Sequence, residues 1–158
     1  VYAALVLRIL VRAPHDDAAR RTIVSVLLAF LPAVIVGLLA RDFIKNVLFE
    51  TPILIAVMLI LGGFVLLVID RIAPEPVHHD ALGLPFGKSL AIGICQTVAM
   101  IPGVSRSGAT IVGALLMGVE KRAAAEFSFL LSLPTMGAAV AYDLFKTRDE
   151  LDFGAVWE

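Results

Sequence analysis

The chain has 158 residues, of which 59% are hydrophobic and 17% charged, with a formal net charge of -1 and a mean hydropathy of +0.94. An average soluble domain is less apolar and more charged, so the composition predicts an integral membrane protein. No long basic tract is present to neutralise phosphates, which argues against nucleic acid as a partner, and the single Cys95 forms no internal disulfide.

The amino end, VYAALVLRIL, lacks the charged region and small-residue cleavage site of a secretory signal and reads as a partial span over 1–10. The sequence starts without Met and ends at Trp157-Glu158 soon after a charged loop, so it is expected to be an internal piece of a longer protein. In RAPHDDAARR, Asp16 or Asp17 is placed to cap the following helix. Spans are predicted over 22–40 and 51–69, each with 19 uncharged residues, about what a helix needs to cross the hydrocarbon core. Pro32 is expected to kink the first. RDFIKNVLFE, residues 41–50, reads as a short amphipathic connector, and Thr51-Pro52 starts the second span with proline at its first position. After Asp70-Arg71, APEPVHHDALGLPFG is a polar loop whose prolines and glycines favour turns.

The next stretch departs from this pattern. Between Lys88 and Arg106 lie 17 uncharged residues, and between Arg106 and Glu120 only 13. One helix covering both is too long for a bilayer and carries Pro102, Gly103 and Arg106 at its middle. A re-entrant pair over about 88–101 and 105–119 fits better, since non-helical backbone at membrane depth is tolerated only against protein or a wet cavity. A last span is predicted over 123–142. With re-entry, Arg8, Arg12, Arg20, Arg21, Arg71, Lys88, Lys121 and Arg122 share one side, eight in all, against Arg41, Lys45, Lys146 and Arg148, four in all. The eight-residue side is then cytoplasmic. The fold class is an all-α polytopic membrane protein with a re-entrant helix-turn-helix, and 1–158 forms one incomplete membrane domain.

IPGVSRSGAT, residues 101–110, carries the chemistry. An arginine at membrane depth costs several kcal/mol unless it finds water, a counter-charge or a ligand. Pro102-Gly103 breaks the first half-helix and Ser105 or Ser107 caps the second, whose free N–H groups and positive dipole end suit an anion. Arg106 adds a bidentate grip on phosphate oxygens. Ser105, Ser107 and Thr110 supply hydroxyls, with Thr110 three residues beyond Ser107 on one helical face. The competing structural reading has the hydroxyls bonded back to backbone and the guanidinium snorkelling to water.

PGVSRSGATI, followed by GALLMGVEKRAAAEFSFLLSLPTM, resembles the second signature of the bacitracin-resistance type of undecaprenyl-diphosphate phosphatase, and the likeness runs from about Arg20 to Lys146. The resemblance implies two inverted repeats, each with a re-entrant pair, in the plasma (inner) membrane of a bacterium. It also implies removal of the terminal phosphate of undecaprenyl diphosphate in recycling the cell-wall lipid carrier, and so resistance to bacitracin. Arg106 and Ser105 are carried over as catalytic positions, and Gly103, Ser105, Arg106, Ser107, Thr110 and Gln96 as substrate-binding positions; Gln96 stands where the counterpart motif has a glutamate. The family's first motif, a glutamate-rich stretch ending in Ser-Ser-Thr-Gly-His, is absent. A divalent cation, Mg or Ca, is therefore expected to take its ligands mostly outside this chain, no metal ligand is assigned within it, and the chain alone is expected to be inactive. Membrane lipids and a second copy, as a homodimer, complete the expected partners. The rival reading is a transporter or lipid flippase that binds an anionic substrate at a broken helix; a third is a structural membrane subunit.

Several features tempt. GLPFGKS, residues 83–89, is one residue short of a P-loop spacing and follows no strand. His78, His79 and Asp80 lack a further ligand at suitable spacing and read as a polar loop. Glu126 either faces the site or caps the last helix and pairs with Arg122. Gly62-Gly63, Ala109/Gly113 and Gly137/Ala141 are read as close helix contacts, and Phe43, Phe49, Tyr142 and Trp157 as interface aromatics.

Overall fold

A computed structural model describes Val11, residues 16–40, Ile44 and residues 50–147. The partial span at 1–10, most of the 41–50 connector, Arg8, Arg12, Arg41, Lys45, Arg148 and Trp157 lie outside the described residues. Among the described residues, five α-helices follow in order: α1 (Asp17–Leu39), α2 (Pro52–Ile72), α3 (Phe86–Thr97), α4 (Arg106–Leu116) and α5 (Lys121–Thr147). A 3-10 turn, Val98–Met100, extends α3. Helices α1, α2 and α5 are long and apolar enough to cross a membrane, and the architecture is all-α among the described residues.

Local signals explain the helix ends. Asp16 is the N-cap of α1, its Oδ1 accepting from the Ala18 N–H at 2.9 Å. Pro52 opens α2 after Thr51. Pro32 lies inside α1 and Pro134 inside α5, and the assigned helix runs through both. α5 continues to Thr147, five residues beyond the span read from hydropathy, because Asp143 and Lys146 are carried on its exposed final turns.

The centre of the fold is the α3–α4 hairpin. Its helices are antiparallel: Lys88 Nζ donates to the Met117 carbonyl at 2.7 Å, and Gln96 lies opposite Thr110. α1 packs along α3 in parallel, with Gly93 so close to Ala29 that a Cβ there would collide with the Ala29 carbonyl oxygen. α5 closes the same side through Ala124, Phe127 and Leu131, which form a core with Ala29, Ile92 and Ala114. α2 stands on the other side and is almost bare, with 6% of its most apolar window buried.

Both ends of the hairpin leave at one level. Lys121 Nζ pairs with Asp70 Oδ2 at 2.8 Å, joining the start of α5 to the end of α2. His78 bridges to Val119 as isolated β-type pairing, and Glu120 N donates to the His78 carbonyl at 2.8 Å. Thr22 and Ser25 of α1 tie in the preceding turn, through Gly83 N–H to Thr22 Oγ1 and Ser25 Oγ to the Leu84 carbonyl, both at 3.0 Å. The hairpin therefore begins and ends at one level, the geometry that re-entry requires. Arg20, Arg21, Arg71, Lys88, Lys121 and Arg122 all stand at this base, whereas Lys146 ends α5 at the other.

Candidate functional site

The hairpin tip exposes polar side chains between the apolar helices, at the end opposite the basic base, and backbone geometry creates it. Gly103 has φ +93°, a left-handed conformation that favours glycine. A side chain there would also strike the Ile55 carbonyl oxygen, in the first turn of α2. Pro102 is buried beside it. Ile55 is 15 residues before Asp70, about 22 Å along a helix rising 1.5 Å per residue. The tip therefore lies well past mid-depth, approaching the end opposite the basic base. Met100 agrees, since it meets Gly37 near the end of α1.

Ser105 is the N-cap of α4, its Oγ accepting from Gly108 N at 3.2 Å, and it stands 3.3 Å from Ser107 Oγ. The N–H groups of Arg106 and Ser107 precede the first intrahelical bond and remain available to a ligand. Ser105 and Ser107 are exposed at this helix start. Thr110 is buried where Ser107 is exposed: its side chain lies against α3, with Oγ1 donating to the Arg106 carbonyl at 2.9 Å and standing 3.5 Å from Gln96 Oε1. Spacing placed Ser107 and Thr110 on one face, but the neighbouring helix covers only the Thr110 edge.

Two buried donors lack partners among the described residues, Arg106 Nη1 and Gln96 Nε2. Each such group costs about 1–3 kcal/mol, more when charged, unless an acceptor meets it. The tip thus combines a guanidinium, two exposed hydroxyls, a helix N-terminus and an unpaired amide. It is rich in donors, and among the described residues no group of three or more His, Cys, Asp and Glu converges to hold a metal ion.

A cavity of about 530 Å³ opens beside the tip, between α2 and the hairpin. Ser105 and Gly108 border it at one end and Leu116 lies along its wall; Cys95, Gly62 and Gly63 also line it. Sequence reasoning missed this groove. Gly62 and Gly63, read as helix-packing residues, have nothing within 4 Å of where a Cβ would stand, and neither does Gly137. Gly113 does pack closely, its Cβ position lying 2.7 Å from Cys95 Cβ. A glycine that admits a helix and one that borders a void look alike without the partner in place. Elsewhere, Glu126 Oε1 accepts from Arg122 Nε at 3.1 Å, the pairing alternative, and His79 Nδ1 lies 3.0 Å from Glu120 Oε2 in the base loop.

The model of the bacitracin resistance protein BacA family matches residues 2–156. A protein of Cereibacter sphaeroides (strain ATCC 17029), named undecaprenyl-diphosphatase, is 63% identical over 158 residues, covering 100% of this chain and 59% of its own length. One of the same name from Paracoccus denitrificans (strain Pd 1222) is 63% identical over 155 residues, covering 98% of this chain and 58% of its own. This chain spans a little under three fifths of the relatives it matches. With the helix-turn-helix at 86–116 and a family match along almost every residue, the chain belongs to the bacitracin resistance protein BacA family.

Proposed function

We propose that the chain is the diphosphate-gripping part of a membrane phosphatase that converts undecaprenyl diphosphate to undecaprenyl phosphate and inorganic phosphate in a bacterial inner membrane. The observation that carries this reading is the buried, unpartnered Nη1 of Arg106 beside the start of α4. A guanidinium is retained there, against its desolvation cost, where an anion completes its bonding.

In this reading Arg106 neutralises charge on the transferred phosphoryl group, which is the main demand of phosphoryl transfer. The Arg106 and Ser107 N–H groups hold non-bridging oxygens. Ser105 Oγ accepts from Gly108 N and shares one hydrogen bond with Ser107 Oγ, so one of the two hydroxyl protons is left to point at the ligand. Water attacks the terminal phosphorus, the P–O–P bond breaks, and the monophosphate leaves as an anion that the same donors stabilise. The hydrogen bonds recorded for Ser105 involve no carboxylate or imidazole to activate it as nucleophile. The nucleophile's base is assigned to the part of the family protein that this chain does not include.

A divalent cation, if bound, would neutralise charge on the diphosphate. The described donor set does not fit one: the tip offers a cation and hydroxyls without a carboxylate, and no step here runs through a metal. With the basic base on the cytoplasmic side, the cradle approaches the outer face of the membrane. No observation favours the transporter reading over hydrolysis.

Phosphate release from undecaprenyl diphosphate by the full-length protein, beside this chain alone, tests the proposal. Release by the full-length protein only is the expected result; no release from a folded full-length protein, at any divalent-ion concentration, ends it.

A further inference from the structure

The cavity between α2 and the hairpin has a polar end and a long apolar body, and this asymmetry specifies an occupant. Ser105 and Gly108 meet it at the anion cradle, and the rest of its wall is Met58, Leu66, Val112 and their apolar neighbours. α2 forms the outer wall along the length of the hairpin. At Gly62 and Gly63 the wall carries no side chain, and a Cβ at either position would stand in open space.

We propose that this groove holds the first isoprene units of the lipid whose diphosphate lies at Ser105–Ser107, and that Gly62 and Gly63 set its width. The inference rests on the diphosphate reading above and adds where the hydrocarbon runs. Continuity supports it, because an amphiphile with an anionic head at the α4 N-terminus finds one apolar trough beginning at the same residues. Size does too. At roughly 30 Å³ per carbon-sized volume, the share of one water in the liquid, about 530 Å³ accommodates a farnesyl-length chain. A β-methyl-branched isoprenoid is wider than a straight acyl chain, and paired glycines at mid-helix supply that width.

Cys95 is a built-in reporter, since it is the one cysteine of this chain and lines the groove. The experiment uses the full-length protein with Cys95 as its sole cysteine and follows maleimide modification with farnesyl diphosphate, with inorganic pyrophosphate, and with neither. Farnesyl diphosphate is expected to slow labelling at least tenfold while pyrophosphate leaves it unchanged. Equal protection by both would place the ligand at the cradle alone and overturn the groove while sparing the diphosphate reading. No protection by either, or a thiol that is unreactive without ligand because protein fills the space, overturns the groove as well. Phosphate release on wild type and Arg106→Ala tests the diphosphate reading separately.

A width test accompanies it. Gly62→Leu is expected to raise KM for farnesyl diphosphate about tenfold with the inhibition constant of pyrophosphate unchanged, which also reports an intact fold. Gly62→Ala, a smaller intrusion, serves if the leucine variant fails to fold and is expected to raise KM about twofold. An unchanged KM in a folded Gly62→Leu protein removes the glycines from the proposal.

Discussion

Gly103 and Ile55 touch backbone to backbone, the hairpin tip of one element wedged against the first turn of α2. The contact determines the depth of the hairpin tip, because α2 ends 17 residues later at the basic side, with Ile72. It also exists only for a residue that has no side chain and accepts φ +93°.

Gly103→Ala should therefore lower stability by about 2–4 kcal/mol, through the left-handed strain and the collision combined. Gly137→Ala, in open space on α5, should change it by less than about 1 kcal/mol. Thermal unfolding of the two variants in detergent separates them, and equal losses would disprove the wedge.

Arg106→Ala in the full-length protein should reduce phosphate release about 10³-fold with the fold intact, since it removes a charge aimed at the transition state and relieves a buried unpaired donor. Arg106→Lys should recover only part of the rate, because an ammonium lacks the planar fork. Near-normal turnover by the alanine variant would remove Arg106 from the mechanism.

Gln96 presents an unusual trade. Its Nε2 is buried without a partner, and Thr110 Oγ1 keeps its bond to the Arg106 carbonyl whether or not Gln96 is present. Gln96→Leu should hold stability constant or raise it by about 1 kcal/mol, while phosphate release falls about tenfold. A loss of stability with unchanged turnover would make Gln96 a structural residue only.

Topology is directly measurable. Cysteines at positions 79 and 121 should be labelled from the same side, because residues 78 and 119 are paired at the hairpin base. A cysteine at position 105 should be reached from the opposite side. Labelling of 79 and 121 from different sides would rule out re-entry.

Much of this was legible without coordinates, for reasons that are local. Uncharged runs of membrane length define α1 and α2, Asp16 and Pro52 mark their starts, and Pro102-Gly103 announces the break before α4. Such signals act over one or two turns, so the sequence by itself determined the all-α membrane class, the re-entrant break and the residues gathered at its tip. Only tertiary structure decided where those residues point and how deep they lie. Thr110 turns inward because α3 covers its edge, Nη1 of Arg106 is buried without a partner among the described residues, and the tip lies beside Ile55 because Gly103 packs against it without a side chain. Gly62 and Gly113 show the same division: both border the groove, yet a Cβ would stand in open space at Gly62 and would meet Cys95 at Gly113. Packing between elements far apart in sequence sets that difference, and hydropathy has no term for it.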